Sequence, residues 1–146
     1  MQIIVALREI KPNKMKPKGC SILFTNSKHQ VLLLLRDNIS SIPYPNMWDI
    51  PGGLVEENET PEQTIVREMK EEIGMDLTGF ELYKITDFDD RIEHTFKKFC
   101  ELDIDTIQLK EGQQLQWFSL DEIIELPVAY GFKPLLIHYL TLLSKS

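Results

Sequence analysis

Two rhythms of apolar and polar positions run along this 146-residue chain. Residues 2–7 (QIIVAL), 20–25 (CSILFT) and 30–35 (QVLLLL) are short apolar runs of strand length. The last is apolar without alternation, the mark of a strand covered on both faces. Arg36, Asp37 and Asn38 end it. Residues 39–47 contain Pro43 and Pro45 and must form a loop. A short extended piece, 48–50, then runs into Pro51, Gly52 and Gly53.

The rhythm next changes to that of a helix. Thr60 is an N-cap, Pro61 suits the first helical position, and Gln63 completes a capping box. Gly74 is the stop. Residues 82–88 and 92–102 read as antiparallel strands around the turn at Asp89 and Asp90, and 115–118 as another short strand. Ser119 to Glu122 forms a second capping box, opening a short helix that Pro127 ends. Residues 134–143 predict a final amphipathic helix buried through Leu135, Leu136, Tyr139, Leu140 and Leu143. Strands mixed with a few helices predict a sheet sandwiched between helices, and the length fits one domain, 1–146.

Composition narrows the functional classes. The net charge of −7 argues against a nucleic-acid polymer as partner, since such binders carry a basic footprint. No apolar run approaches a membrane span. The N-terminal run lacks a basic lead and a cleavage site, so it reads as a first strand, and cytoplasmic residence is expected. Cys20 and Cys100 stand far apart and read as buried small hydrophobes. His29, His94 and His138 have no ligand-like spacing.

The chemistry concentrates between Gly53 and Met75, GLVEENETPEQTIVREMKEEIGM. On the predicted helix Glu68, Glu71 and Glu72 stand at i, i+3 and i+4 and share a face. Ile65, Val66, Met69 and Ile73 form a second face about 120° away. Crowded carboxylates repel one another, so the pattern makes sense around a cation. Oxygen-only ligands suit Mg²⁺ or Mn²⁺. Arg67 is expected to orient a carboxylate, through Glu71 or back to Glu59, rather than to touch substrate.

The spacing G-x5-E-x7-R-E-(apolar)-x-E-E-x-G-(apolar) is met by Gly53, Glu59, Arg67, Glu68, Met69, Glu71, Glu72, Gly74 and Met75. It resembles the Nudix box at every position, and the flanking WDIPGG and EGQQLQWFSLDEI also resemble the family. The resemblance implies an α/β/α sandwich with a mixed sheet. It implies hydrolysis of a nucleoside diphosphate linked to another group, with bound Mg²⁺ or Mn²⁺. Carried over by position, Glu68 and Glu72 would be the main ligands and Glu71 a further one. Glu59 would be supporting or water-mediated. The Gly52 carbonyl would bind metal, and Glu111 would supply a carboxylate from outside the box. Glu68 or Glu111 would be the general base. Arg36 is expected on a substrate phosphate, and Tyr130, with Tyr44 and Phe88, is a candidate to stack on a base; Trp48 reads as core. The EGQ-x3-W-x-SL stretch resembles MutT-type enzymes, so a nucleoside triphosphate is the first expectation. A nucleotide sugar or ADP-ribose-like compound is the second, and a non-catalytic nucleotide sensor the third. Many relatives are dimers, so the resemblance also admits a homodimer.

Overall fold

The computed structural model of the protein describes residues 16–145. The strand expected at residues 2–7 lies outside them. One mixed sheet is built from β1 (Lys18–Thr25), β2 (Val31–Leu35), β3 (Trp48–Asp49), β4 (Gly52–Leu54), β5 (Glu81–Asp87), β6 (Ile92–Phe99) and β7 (Gln114–Phe118). Its helices are α1 (Pro61–Ile73), α2 (Leu120–Ile124) and α3 (Lys133–Ser144). The order is β3-β2-β1-β6-β5, with β4 also paired to β1 and β7 to β2. Only β1 and β6 run parallel; the other pairs are antiparallel.

Successive residues of β1 serve opposite faces, as the strand period of two requires. Cys20, Ile22 and Phe24 pack with Leu32 and Phe96 against Ile65, Met69 and Ile73 of α1. On the other face Leu23 joins Val31, Leu33, Trp48 and Ile50 beneath Ile123 of α2 and Leu135, Leu136, Tyr139 and Leu140 of α3. Helices therefore cover both faces, giving the expected α/β/α sandwich. Leu143 is only partly buried at the end of the α3 stripe. Among the described residues no helix is long and apolar enough to cross a membrane.

The signals at the ends of α1 act as read. Thr60 accepts the Gln63 amide, the Gln63 side chain bonds back to Thr60, and Gly74 closes the helix in the left-handed region at φ 68°. The buried stripe differs from expectation in one place. Thr64, Ile65, Met69, Glu72 and Ile73 face inward, whereas Val66 is exposed. The stripe follows i, i+4, i+7 and i+8, so the next inward position falls to Glu72 rather than to Val66. A carboxylate is thereby carried into the protein.

β1 also creates the opening in which that carboxylate sits. It pairs with β2 only at Thr25–Val31, then parts from it. β4 takes its place at the other end, opposite Gly19, Cys20 and Ser21.

Candidate active site

The carboxylates of α1 divide between two environments. The first surrounds Arg67. Its Nε and Nη2 donate to the two oxygens of Glu59 at 2.7 and 3.0 Å, a bidentate pair. Its Nη1 donates to Glu68 at 3.0 Å and to Glu71 at 3.1 Å. Glu59 also accepts the Thr64 hydroxyl and the Glu56 amide. The Arg67 hydrogen bond, helped by Thr64, holds the Glu59 carboxyl down at about 2. The same bond raises Arg67 above its ordinary value. Arg67 thus bonds three carboxylates at once, and Glu59 is the one it holds through both oxygens.

The second environment surrounds Glu72. This residue is 5% exposed, and its Oε2 has no hydrogen-bond partner among the described residues. Burial first, then the Glu68 carboxylate lying against it, then the charges of Glu111 and Asp49, push its pKa far above the carboxylate range. Without a cation the group favours its proton, because its burial and the carboxylates around it both disfavour its charged form. Asp49 repeats the pattern. Burial pushes it up to about 7 against the pull of Arg36, which donates to Oδ2 at 3.2 Å. Its Oδ1 is buried without a hydrogen-bond partner, although the Ile50 amide lies close enough to favour the charged form.

Backbone geometry completes this side. The Ile22 amide donates to Pro51 and the Val55 amide to Lys18. In an antiparallel ladder only alternate residues bond across a given pair. Gly52, opposite Ser21, therefore turns its carbonyl away from β1. A Cβ on Gly52 would run into the Cys20 carbonyl, and one on Gly53 would sit 2.5–2.8 Å from the Glu68 carboxylate. Only glycine allows helix and strand this close. The Glu111 loop is tied in by the Lys110 amide on the Glu72 carbonyl at 2.9 Å. Gln113 fixes its other end, through its amide to Leu35 and its side chain to the Arg36 carbonyl and Asn46. A cavity of about 340 Å³ results, lined by Arg36, Asp49, Gly52, Glu72 and Glu111.

Among the described residues no three Asp, Glu, His or Cys side chains already converge into a ligand cage. Arg67 draws Glu68 and Glu71 to itself, and the rest repel. The residues nonetheless fit a hard divalent cation. Two buried carboxylate oxygens lack partners, and a carbonyl turned off its ladder lies beside them.

A family model for the NUDIX domain matches residues 15–139. The chain belongs to the Nudix family. It is 52% identical over 46 residues to an 8-oxo-dGTP diphosphatase of Proteus vulgaris, covering 30% of this chain and 41% of that protein. It is 30% identical over 112 residues to the CTP pyrophosphohydrolase of Escherichia coli K12, covering 75% and 83%. The MutT protein of Methanosarcina mazei Go1 superposes with a TM-score of 0.68 at 25% identity, over 90% of this chain and 99% of that one. The chain spans less than half the length of the first curated relatives it matches, 41% and 43%.

Within this Nudix domain the expected site residues separate clearly. Glu68, Glu72, Glu111 and Gly52 come together, while Glu59 and Glu71 stand with Arg67, Glu71 on the exposed side. Arg36 reaches the same cavity, but it is partly committed: its Nε donates to the Pro43 carbonyl at 2.9 Å. Tyr130 takes φ 58° and packs against Tyr44, ring centroids 4.6 Å apart, with the Arg36 guanidinium 5.1 Å from its ring. Phe88 lies under Arg91 at 4.1 Å, and Trp48 is core as expected. Sequence reasoning missed Asp49, Arg91 and Glu93. Asp49 carries a faint signal, a polar residue between the inward Trp48 and Ile50. Arg91 and Glu93 share a strand parity, but nothing in the sequence announces that both are buried. Cys20 takes no part; burial pushes its thiol up to about 12.

Proposed function

We propose that the protein is a metal-dependent pyrophosphohydrolase. It would cleave a phosphoanhydride of a nucleoside diphosphate derivative, in first place a nucleoside triphosphate to monophosphate and pyrophosphate. One observation carries the reading: Glu72 is buried with its Oε2 unpartnered among the described residues, in a cavity it shares with Gly52 and Asp49 that is large enough for a phosphate chain. Leaving a carboxylate oxygen buried in this way is costly for folding, and a cationic partner would offset the cost.

Glu72, Glu68 and the Gly52 carbonyl would hold Mg²⁺ or Mn²⁺, with Glu111 closing the set from its loop. When bound, the metal neutralises phosphoryl oxygens and lowers the pKa of a coordinated water. Arg67 keeps Glu68 pointed at the Gly53 backbone. Glu68 or Glu111 takes the proton of the attacking water, an assistance worth ~10²–10⁴-fold. Arg36 places its guanidinium over the same cavity, where a phosphate oxygen could replace the Asp49 carboxylate as its acceptor. The named activities of the curated relatives, on 8-oxo-dGTP and CTP, support a nucleoside triphosphate over a nucleotide sugar.

The test is phosphate and pyrophosphate release across a panel of nucleoside triphosphates, nucleotide sugars and ADP-ribose, with and without Mg²⁺. Metal-dependent turnover of triphosphates is expected. Tight nucleotide binding without turnover of any compound would convert the reading to a sensor.

A further inference from the structure

A second cavity, about 350 Å³, lies on the far side of Gly52 and Gly53 from α1. Its lining includes Gly19, Asp49, Arg91, Glu93, Tyr130 and Phe132. Arg36, Asp49, Ile50 and Gly52 also line the glutamate cavity, so the two spaces meet there. A molecule with a phosphate chain in the first cavity would place its other end in the second, whose volume lies within the range of small-molecule sites.

The polar groups of this second cavity are unbalanced. Its cations are already spent on the protein. Arg91 donates from Nε to Glu93 at 2.7 Å, from Nη1 to Asp90 at 2.9 Å and from Nη2 to the Tyr130 carbonyl at 2.9 Å. Its guanidinium is also packed against Phe88 and Phe132, at 4.1 and 5.1 Å. Arg36 donates to Pro43 and Asp49. The acceptors, by contrast, are in excess. Asp49 Oδ1 is buried with no hydrogen-bond partner among the described residues. Glu93 is 3% exposed and takes bonds from Arg91 Nε and from Ser21, which leaves part of the roughly four lone-pair sites of a carboxylate open. Glu93 is also fixed in place, because its Oε1 lies 2.5 Å from where a Cβ on Gly19 would stand.

We propose that this cavity seats the nucleobase and selects bases that carry an exocyclic amino group, whose N–H bonds are accepted by Asp49 and Glu93. The inference rests on the nucleotide reading above and adds to it which nucleotides are taken. An amine supplies the protons these oxygens lack. An oxo group at the same place would set one acceptor against another, with both guanidiniums of the cavity already engaged. Sites built to bond a donor reject the analogue without it far more strongly than apolar pockets reject a size change.

The experiment compares kcat/KM for CTP against UTP, and for GTP against ITP, using the whole protein with Mg²⁺. Binding of CMP and UMP in metal-free buffer reads the same preference without turnover. The amino member of each pair should be favoured about tenfold or more. Asp49→Asn and Glu93→Gln each put an amide donor where an acceptor stood, and each should pull the ratio down toward one. Should Glu93→Gln fail to fold for loss of its buried pair with Arg91, Asp49→Asn decides alone. Equal values across both pairs in the wild type, or a ratio unmoved in the folded variants, overturns the proposal. CMP binding tighter than UMP in a protein that hydrolyses nothing would sustain base selection and sink only the hydrolase.

Discussion

The carboxylates around Arg67 and those around Glu72 meet along one helix, yet they live under opposite electrostatics. Glu59, Glu68 and Glu71 share a guanidinium through four bonds of 2.7–3.1 Å. Glu72, with Asp49 and Glu111 near it, has no cation of its own, and its burial and neighbours drive it toward the protonated form. Satisfied carboxylates hold a shape; unsatisfied ones wait for something to bind. Glu68 belongs to both sets, gripped by Arg67 on one side and pressed against Glu72 on the other. It transmits the order of the first group to the second.

Removing an oxygen from the unsatisfied half should have the largest effect. Glu72→Gln and Glu68→Gln are each expected to lower turnover of the best nucleotide by ~10²–10⁴-fold, the range for a positioned acid–base group. Glu72→Gln should fold as well as wild type, because it removes a charge that the cavity disfavours. Wild-type turnover in both variants would dissolve the distinction between the two halves. Gly53→Ala comes next. Its Cβ would overlap the Glu68 carboxylate and force it aside. A displacement of about an ångström costs about 10²-fold. The expected signature is a fall in kcat with a circular dichroism spectrum like that of wild type.

Breaking the satisfied half should cost less activity and more stability. Arg67→Gln is expected to reduce activity by about 10–100-fold, as for residues that orient ligands. It should also lower the melting temperature, because Glu59, Glu68 and Glu71 lose their shared donor. The two halves should further differ in the sign of their pH response. Glu59 is held at about 2 against an ordinary 4.5. Its contribution is full above pH 4.5 and is lost as pH falls toward 2. Glu72 is raised above 4.5, so the folded protein binds more protons than the unfolded chain beyond that pH, and stability declines as pH rises. Melting temperatures across pH 3–8 without metal should show both limbs. Arg67→Gln should flatten the acid limb, and Glu72→Gln the alkaline one. Mg²⁺ should restore stability mainly on the alkaline side.

Much of this frame is legible in the sequence because it depends on local chemistry. Thr60, Pro61, Gln63 and Gly74 define α1 without reference to the rest of the fold. The spacing of Glu68, Glu71 and Glu72 follows from helical geometry alone. What periodicity leaves undecided is depth. It places Glu71 and Glu72 on one face, but only packing against β1 decides that Glu72 goes inside while Val66 stays out. Asp49, Arg91 and Glu93 were hidden for the same reason. Each is a common surface residue type on or beside a strand, and only tertiary packing sets its depth. Arg36 lines the cavity, but its bonds to Pro43 and Asp49 lie in contacts that no local pattern encodes.

The smallest effect is expected at Glu71, and it is the sharpest measure of where the boundary between the halves lies. Its side chain is 54% exposed, and its bond to Arg67 is an i,i+4 surface pair. Pairs of that kind contribute roughly 0.3–0.5 kcal/mol. Arg67 keeps Glu59 and Glu68 as partners without it, so the clamp survives. Glu71→Gln should therefore change stability by no more than that amount and turnover by under about tenfold, the lower bound for residues that orient a ligand. A loss matching that of Glu72→Gln would mean that Glu71 leaves Arg67 and turns inward when substrate and metal are bound. The satisfied half would then be a reserve of ligands as well as a scaffold, and metal titrations of the Glu71→Gln protein should show a weakened affinity to match.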